Sequence, residues 1–475
     1  MNIKVQFIAL RTLVAIFLTA LALDLALAES GFEKAKRLAE QGSSHAQFNL
    51  GIRYEQGKGV PVDDEEALKW FKKAAEQGDA DAQFKLGYHY ENGKGVTKDD
   101  TEAAKWYQKA AEQGIGNAQF LVALMYAEGR GVEKDDVEAA KWYRKAAEQG
   151  IAGAQSKLGL MYAGGTGLEK NEVDAAQWYQ KAAEQGDALA QYNLAIMYAN
   201  GDGLERDDFE AVTWFLKVAE QGVPEAQYAL GLMYAEGRGA PQDHTEAFSW
   251  FRQAAEQGLS SAQTSLGSIY ADGRGVEKDD VEAATWYRKA AEQADVDAQY
   301  QLGLMYAQGE GVAHDDFEAV TWLIKAAYQG APKAQYALGL MYDAGRGIPE
   351  DDTEAVNWFK RAALQGYAKA QDILGEMYDK GDGVQEDNIE AVKWYRKAAE
   401  QGEDNAQHNL GLMYAKGEGV PIDYVKAYKW LDLAAAQGLE AAEKNKNTLR
   451  LKMTPLQIKE AEELSNLFEP TSPDS

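Results

Sequence analysis

The sequence of 475 residues contains no cysteine. This absence excludes disulfide bonds, thiolate zinc sites, cysteine nucleophiles and lipid attachment through an N-terminal cysteine. Export from the cytoplasm would permit disulfides, so the stability of an exported chain without cysteine has to come from packing.

Residues that carry catalysis or bind metals are also scarce. The five histidines share no metal-ligand spacing, and the motifs His-x-x-x-His and Ser-x-x-Lys are absent. We therefore expect the histidines to be solvated or lightly packed. Gly-x-Gly recurs but never extends to Gly-x-Gly-x-x-Gly after a strand, and residues 379–387 lack the full spacing of a calcium loop. The sequence predicts no catalytic residue, no metal site and no cofactor.

Basic residues are few, with 49 Lys and Arg against 76 Asp and Glu, a formal net charge of −27. Such a surface repels phosphate backbones and anionic lipid, which argues against nucleic acid as a partner. The acidity also keeps an elongated protein soluble. A binding site for a basic ligand is the alternative interpretation.

Long apolar runs are absent after the first 30 residues. The first 28 residues begin with a charged segment that contains Lys4 and Arg11. Residues 12–23 are apolar, and Ala26-Leu27-Ala28 then forms an A-x-A cleavage site. This order predicts a secretory signal peptide over residues 1–28. The apolar stretch is about half as long as the roughly 20 residues needed to span a membrane. We expect no membrane insertion after cleavage, and we expect an exported protein, periplasmic or secreted.

A 36-residue period without insertions or deletions is the strongest feature of the chain. Tyr follows eight residues after the alanine of each Ala-Gln dipeptide, and all 11 tryptophans stand 24 residues after it. We number the eleven repeats by these dipeptides, whose alanines lie at residues 46, 82, 118, 154, 190, 226, 262, 298, 334, 370 and 406.

Each repeat has the pattern of two helices. In the first helix, Ala, Leu and Tyr at i, i+4 and i+8 form one buried stripe. In the second helix, as in residues 135–150, apolar residues from Ala139 to Ala147 form a broad face. Asp135 with Glu138 predicts a capping box, and Gly150 fits the C-terminal cap. Gly129 and Gly131 predict a loop with positive φ, and glycines within first helices predict close approach of a neighbouring helix.

A helix pair of this size cannot bury its aromatic face alone, so neighbouring pairs must stack. The predicted fold is all-α, an α/α solenoid superhelix of about eleven 36-residue helix–turn–helix repeats with capping helices. The predicted segments are a signal peptide (1–28), an N-terminal capping helix (29–45), the solenoid (46–441), C-terminal capping helices (442–469) and a disordered tail (470–475). Capped ends at both termini favour a monomer.

The repeated motif AQxxLGxxYxxGxGVxxDxxEAxxWYxKAAxQG resembles the Sel-one-like repeat, a relative of the tetratricopeptide repeat. The resemblance covers residues 46–438 and implies a right-handed superhelix whose first helices line a concave groove. It also implies an adaptor that gathers other proteins. Many bacterial members are exported and act in envelope regulation, polysaccharide export or host interaction.

The tetratricopeptide alignment implies that the second and sixth positions after each alanine face the groove. Aromatic and aliphatic residues predominate there and are interrupted at Thr264/Ser268 and at Asp372/Glu376. Exposed rows of this kind mark partner sites, although packing of these residues against the adjacent first helix is the alternative. We call the predicted protein-binding residues the ladder: Phe84, Phe120, Tyr192, Ile196, Tyr228, Leu232, Tyr300, Leu304, Tyr336 and Leu340.

These observations predict a non-enzymatic protein–protein interaction scaffold of the bacterial cell envelope, most simply in the periplasm, with a protein or peptide partner in the groove. Two alternatives stay open. One is a cell-wall-directed hydrolase of weak β-lactamase type, for which we find no nucleophile or carboxylate pair outside the repeat consensus. The other is a secreted host-interaction factor, which differs in destination only.

Overall fold

The computed structural model describes residues 31–471, and the predicted signal peptide lies outside them. The described residues form 25 α-helices and no strands, which confirms the predicted all-α solenoid. The chain divides into two compact units, Met1–Gln221 and Gly222–Ser475.

From residue 31 onward, the first unit contains one helix before repeat one and then the helix pairs of repeats one to five. Its helices are α1 (Gly31–Glu40), α2 (Ser44–Gln56), α3 (Asp64–Glu76), α4 (Ala80–Asn92), α5 (Asp100–Glu112), α6 (Gly116–Glu128), α7 (Asp136–Glu148), α8 (Ala152–Gly164), α9 (Glu172–Glu184), α10 (Ala188–Asn200) and α11 (Asp208–Glu220).

The second unit contains repeats six to eleven and two further helices. Its helices are α12 (Pro224–Glu236), α13 (His244–Glu256), α14 (Ser260–Asp272), α15 (Asp280–Glu292), α16 (Val296–Gln308), α17 (Asp316–Tyr328), α18 (Pro332–Asp343), α19 (Asp352–Leu364), α20 (Ala368–Lys380), α21 (Asn388–Glu400), α22 (Asp404–Lys416), α23 (Tyr424–Ala436), α24 (Glu440–Arg450) and α25 (Pro455–Asn466). No helix between residues 31 and 471 has both the length and the apolarity that a membrane crossing requires.

The predicted aspartate caps are present at the start of the second helices. The Asp135 carboxylate accepts hydrogen bonds from the backbone N–H groups of Val137 and Glu138. The Glu138 side chain pairs with Lys141 at 2.5 Å, which differs from the predicted capping box. The reason lies in the backbone, because the N–H of Asp135 already donates to the Tyr126 carbonyl at 3.0 Å. The same Asp or Asn to Tyr bond closes the loop of every repeat at 2.8–3.1 Å.

Both predicted loop glycines adopt positive φ, at 68° for Gly129 and 71° for Gly131. Gly131 has a second constraint, since a Cβ there would collide with the carbonyl oxygen of Asp100 in the preceding repeat. Glycine is therefore required at this position for conformation and for contact between repeats.

The core of each repeat lies between its two helices. The alanine and leucine of the predicted stripe are buried in nearly every repeat, whereas the tyrosine is half-buried everywhere except at Tyr414. Glycines in the first helices contact the second helix, as predicted: a Cβ at Gly339 would lie 2.6 Å from the Phe359 ring. The tryptophans lie at the junction with the preceding repeat, where Trp358 of repeat nine joins a core cluster with Ala326 and Ala327 of repeat eight.

A buried glutamine follows each alanine, and the sequence pattern alone did not indicate its role. In repeat nine, Gln335 donates to the Ala327 carbonyl at 3.1 Å and accepts from Gln365 at 2.8 Å. The equivalent Gln–Gln bond occurs in all eleven repeats at 2.6–3.0 Å. Because an unpaired buried amide is costly, this bond fixes the register of successive helices.

Helices also cover the two ends of the described chain. Phe32 on α1 packs against Tyr54 at 5.5 Å between ring centroids. Thr454 and Gln457 form the capping box of α25, on which Ala461 is buried and Leu464 is exposed. Thr471, in the predicted tail, hydrogen-bonds to the Glu400 carbonyl at 2.8 Å, and residues 472–475 lie outside the described part.

Candidate protein-binding surface

The first helices hold every ladder residue, because they contribute the second and sixth positions after each Ala-Gln alanine. The backbone around these positions is fixed from the opposite side by the buried Ala, Leu and Gln of the same helix. The side chains at the ladder positions therefore point from a rigid element, which is what a reproducible binding surface needs.

The ladder aromatics pack against their own repeat. Phe84 lies 5.6 Å from Tyr107, and Phe120 lies 5.9 Å from Tyr143, between ring centroids. In the second unit the distances are 5.6 Å for Tyr228–Phe251 and 5.7 Å for Tyr336–Phe359. Tyr192 makes the equivalent contact with Phe215 at 5.8 Å. These rings contact the second helix of their own repeat. The alternative interpretation from the sequence considered only packing on the adjacent first helix.

Each ladder aromatic is half-buried, so part of the ring remains accessible. The aliphatic members Ile196, Leu232 and Leu304 are also half-buried, and Leu340 is 37% exposed. The surface combines anchored rings with exposed edges, and anchoring lowers the entropy lost when a partner binds.

At the interruption Thr264/Ser268, Ser268 lines a cavity in the second unit. Its volume is about 270 Å³, and Phe251, Ile269, Ser268, His244 and Arg274 are among its lining residues. The small serine leaves the space that leucine takes in neighbouring repeats. Arg274 donates to Ser268 Oγ at 3.1 Å and pairs with Asp272 at 2.6 Å, so its charge is neutralised locally.

The interruption at Asp372/Glu376 places a carboxyl group inside the protein. Asp372 is only 9% exposed, and its Oδ1 has no hydrogen-bond partner among the described residues. Burial, followed by the charges of Glu403, Glu376 and Asp404, raises the Asp372 pKa to about 7, against a hydrogen bond from Asn409 that lowers it. Burial also raises the pKa of Glu403, with Asp404 adding to the effect.

His89 corrects the prediction that the histidines are solvated or lightly packed, because its side chain is fully buried. It takes the position that methionine holds in most repeats, as at Met125. Its Nε2 lies 3.5 Å from Glu55, and this contact with His89 is the largest of the causes that lower the Glu55 pKa to about 2. Lys85 also binds Glu55, at 2.9 Å. This group joins repeats one and two.

A second row of exposed apolar residues lies on the second helices and was missed by the sequence analysis. Each member is the second residue of its helix, and each is 52–69% exposed: Val137, Val173, Phe209, Val281, Phe317 and Ile389. An apolar residue that stands between Asp, Glu or Asn and an acidic residue at a helix start is the signal that could have revealed this row.

The rest of the described chain shows few features of a metal or catalytic site. Within residues 31–471, no three His, Asp or Glu side chains converge in a way that could hold a metal ion. In the segment 379–387 that partly resembles a calcium loop, Gly381 ends α20 and Asp387 caps α21.

Comparison with known proteins identifies the repeat. A comparison with curated proteins yields no match. A crystal structure of a protective antigen of uropathogenic Escherichia coli strains, which displays an SLR fold, is 41% identical to this chain. The match covers 94% of this chain and 96% of the antigen, with a TM-score of 0.82. A Sel1 repeat protein from Oxalobacter formigenes is 36% identical over 65% of this chain and 90% of its own, with a TM-score of 0.55.

The Sel1 repeat model matches eleven segments, and its register begins two residues before our Ala-Gln numbering. The matched residues are 44–79, 80–115, 116–151, 152–187, 188–223, 224–259, 260–295, 296–330, 332–367, 368–403 and 404–439. These segments cover most of the chain, and the two solved structures extend the likeness to the fold. The chain therefore belongs to the Sel1 repeat family.

Proposed function

We propose that this protein is an exported, non-enzymatic scaffold of the bacterial cell envelope that binds a protein or peptide partner along the ladder. Sel1 repeat solenoids generally mediate protein–protein interaction and are generally non-catalytic. The observation that carries the proposal is the packing of five half-buried ladder aromatics on the second helices of their own repeats: Phe84, Phe120, Tyr192, Tyr228 and Tyr336.

Export rests on the N-terminal sequence. Lys4, Arg11, the apolar residues 12–23 and the site ending at Ala28 follow the order of a signal peptide. The absence of cysteine is compatible with an oxidising compartment, where free thiols would be exposed to oxidation. Fractionation of cells that express the full chain tests this location, and recovery of uncleaved protein in the cytoplasm would contradict it.

The ladder is tested by capture of partners from envelope extract on immobilised full-length protein. The test variant is Tyr228→Ala/Tyr300→Ala/Tyr336→Ala, and the matched control is Phe209→Ala/Phe317→Ala/Ile389→Ala in the exposed row of the second helices. We expect a protein captured by the wild type and the control to be lost from the ladder variant. Loss from the control alone would move the binding surface to the second helices and refute the ladder.

A host-interaction role is the second candidate, because the E. coli protein with the same fold is a protective antigen. Under this alternative the full chain reaches the culture medium, and its partner comes from the host. Recovery of the protein in culture supernatant, with none in the periplasmic fraction, supports the secreted role and argues against the envelope role.

A further inference from the structure

Repeat ten departs from the ladder at the position where repeat nine anchors a ring. Repeat nine places Tyr336 there, half-buried against Phe359. Repeat ten places the buried Asp372 there, and burial, followed by the charges of Asp379 and Asp372, raises the pKa of Tyr395 on the second helix of the same repeat. A carboxylate in this position loses hydration without gaining the packing of a ring. Its Oδ1 has no hydrogen-bond partner in residues 31–471.

The neighbours of Asp372 add negative charge. Glu376 lies one turn along the same helix, and Glu403 and Asp404 begin the first helix of repeat eleven. Glu376 pairs with Lys380, and both members of that pair are about half exposed, so the pair is weak. Lys369 acts on Glu403 but is the smallest influence on its pKa, after burial and Asp404. The cluster therefore carries an excess of negative charge that a cation would offset.

An aromatic surface adjoins the carboxylates. The rings of Tyr336 and Tyr367 meet edge-on with centroids 5.3 Å apart. Burial, Tyr367, Glu403 and Asp372 all raise the Tyr336 pKa, which places this ring within the field of both carboxylates. Lys and Arg side chains bind where carboxylates and aromatic faces occur together, through ion pairing and cation–π contact. Small metal ions gain nothing from the aromatic face.

We propose that repeats nine to eleven hold a lysine or arginine side chain of the bound partner, with Glu376, Glu403 and the buried Asp372 as counter-charges and Tyr336 as the aromatic contact. The inference rests on the proposed function and specifies its partner as a segment that carries basic residues. It assigns a location to the basic-ligand interpretation of the acidic composition. The cavity at Thr264/Ser268, the other interruption of the ladder, has no such cluster.

The test is fluorescence anisotropy of the full chain with a short labelled peptide in which Lys alternates with Ala, and with a matched peptide that carries Gln in place of Lys. The site variant is Asp372→Asn/Glu376→Gln/Glu403→Gln. The matched control, Glu225→Gln/Asp297→Asn/Glu310→Gln, removes three charges from exposed positions of the same unit. It therefore corrects for the general attraction of an acidic protein for a basic peptide.

We expect the wild type and the control to bind the Lys peptide about tenfold more tightly than the site variant, the gain expected of a partly buried ion pair. Equal affinity of the site variant and the control would overturn the inference. Asp372→Tyr/Glu376→Leu, which recreates the residues of repeat nine, must also lose the preference for the Lys peptide over the Gln peptide. The circular dichroism spectrum of this variant shows independently whether it folds.

The pH dependence adds a readout that a structural role would not change. Asp372 is surrounded by Glu376 on its own helix and by Glu403, Asp404 and Asn409 on the next first helix. Affinity for the Lys peptide should rise between pH 6 and pH 8 as Asp372 ionises, and Asp372→Asn alone should reduce that rise. An unchanged pH profile in Asp372→Asn would remove Asp372 from the site.

The two proposals fail separately. If the wild type binds Lys and Gln peptides equally, the basic-partner inference is overturned, while capture of an envelope protein through the ladder would still support the scaffold. If the ladder variant still captures the same protein, the ladder is not the binding surface, and the scaffold proposal is refuted whatever the peptide result.

Discussion

Repeat nine carries Tyr336 and Leu340 at its two ladder positions, whereas repeat ten carries Asp372 and Glu376. Beneath these residues the two repeats are the same. Gln335 and Gln371 are equally buried and accept the same bond from the second helix, at 2.8 Å in each case. The hydrogen bonds that hold the two helices of a repeat together are therefore separate from the ladder positions, so one repeat can change its surface chemistry without changing its fold.

The largest expected effect concerns the feature that the two repeats do not share. The folded state raises the Asp372 pKa from 3.8 to about 7 and so binds a proton more tightly than the unfolded state. The free energy of unfolding must then fall as the pH rises through this window, by at most about 4 kcal/mol. Asp372→Asn cannot ionise, so it should raise the urea midpoint at pH 8 and leave it nearly unchanged near pH 4. The exposed Asp297→Asn is the control; equal shifts of the Asp372→Asn midpoint at both pH values would refute the assignment.

A contact that both repeats share should give the same loss of stability when it is disrupted by the same substitution in either repeat. A Cβ at Gly339 would lie 2.6 Å from Phe359, and one at Gly375 would lie 2.7 Å from Tyr395. Valine at either glycine should lower the free energy of unfolding by about 3 kcal/mol, since the facing ring cannot move away in a packed core. Alanine should cost less, because Ala195 holds this position in repeat five. Urea unfolding followed by tryptophan fluorescence measures the difference, and a tolerant Gly375→Val would show that repeat ten is packed more loosely.

The glutamine bonds allow a finer test of the same equivalence. Gln335→Leu and Gln371→Leu each remove two hydrogen bonds of a buried side chain, one to an alanine carbonyl and one from the facing glutamine amide. Each change should lower the free energy of unfolding by about 2 kcal/mol. The double variant Gln335→Leu/Gln365→Leu should cost less than the sum of its single changes, because both remove the same bond. Strict additivity in this thermodynamic cycle would argue against the bond.

The smallest expected effect concerns the tryptophan of each repeat. The Arg361 guanidinium lies 4.4 Å from the Trp358 ring, and Lys397 Nζ lies 4.3 Å from the Trp394 ring. Replacing either cation with Gln should lower stability by about 0.5 kcal/mol in both repeats. Repeat six carries Gln253 at the equivalent position, so Gln253→Lys should give a gain of similar size. Thermal unfolding detects these shifts, and an effect confined to one repeat would show that the second helices differ too.

The sequence predicted the helices, the loops and the caps because those features depend on local chemistry. Asp135 caps its helix and Gly129 adopts positive φ through interactions within a few residues. It did not predict that the N–H of Asp135 is already bonded to Tyr126, which made the capping box unnecessary. The burial of His89 was missed for a similar reason, since its position becomes internal only when repeats one and two stack.

The ladder was located by its repeat positions, but the contact of each ring was decided by helix packing. Tyr228 could meet Phe251 only after the two helices of repeat six had folded together, and nothing in its spacing distinguished this contact from one with the adjacent first helix. Whether the ladder binds a protein stays a prediction, with the capture experiment as its test.

The all-α repeat architecture could be predicted from the chain alone, because a strict 36-residue period with fixed caps and glycines allows the same local structure in every copy. Helix packing was needed to establish the pairing of Gln371 with Gln401 across 30 residues and the burial of Asp372, whose Oδ1 has no partner among the described residues. The physical reason is that hydrogen-bond pairing and desolvation depend on which groups meet after neighbouring helices pack, and a one-dimensional pattern does not contain those distances.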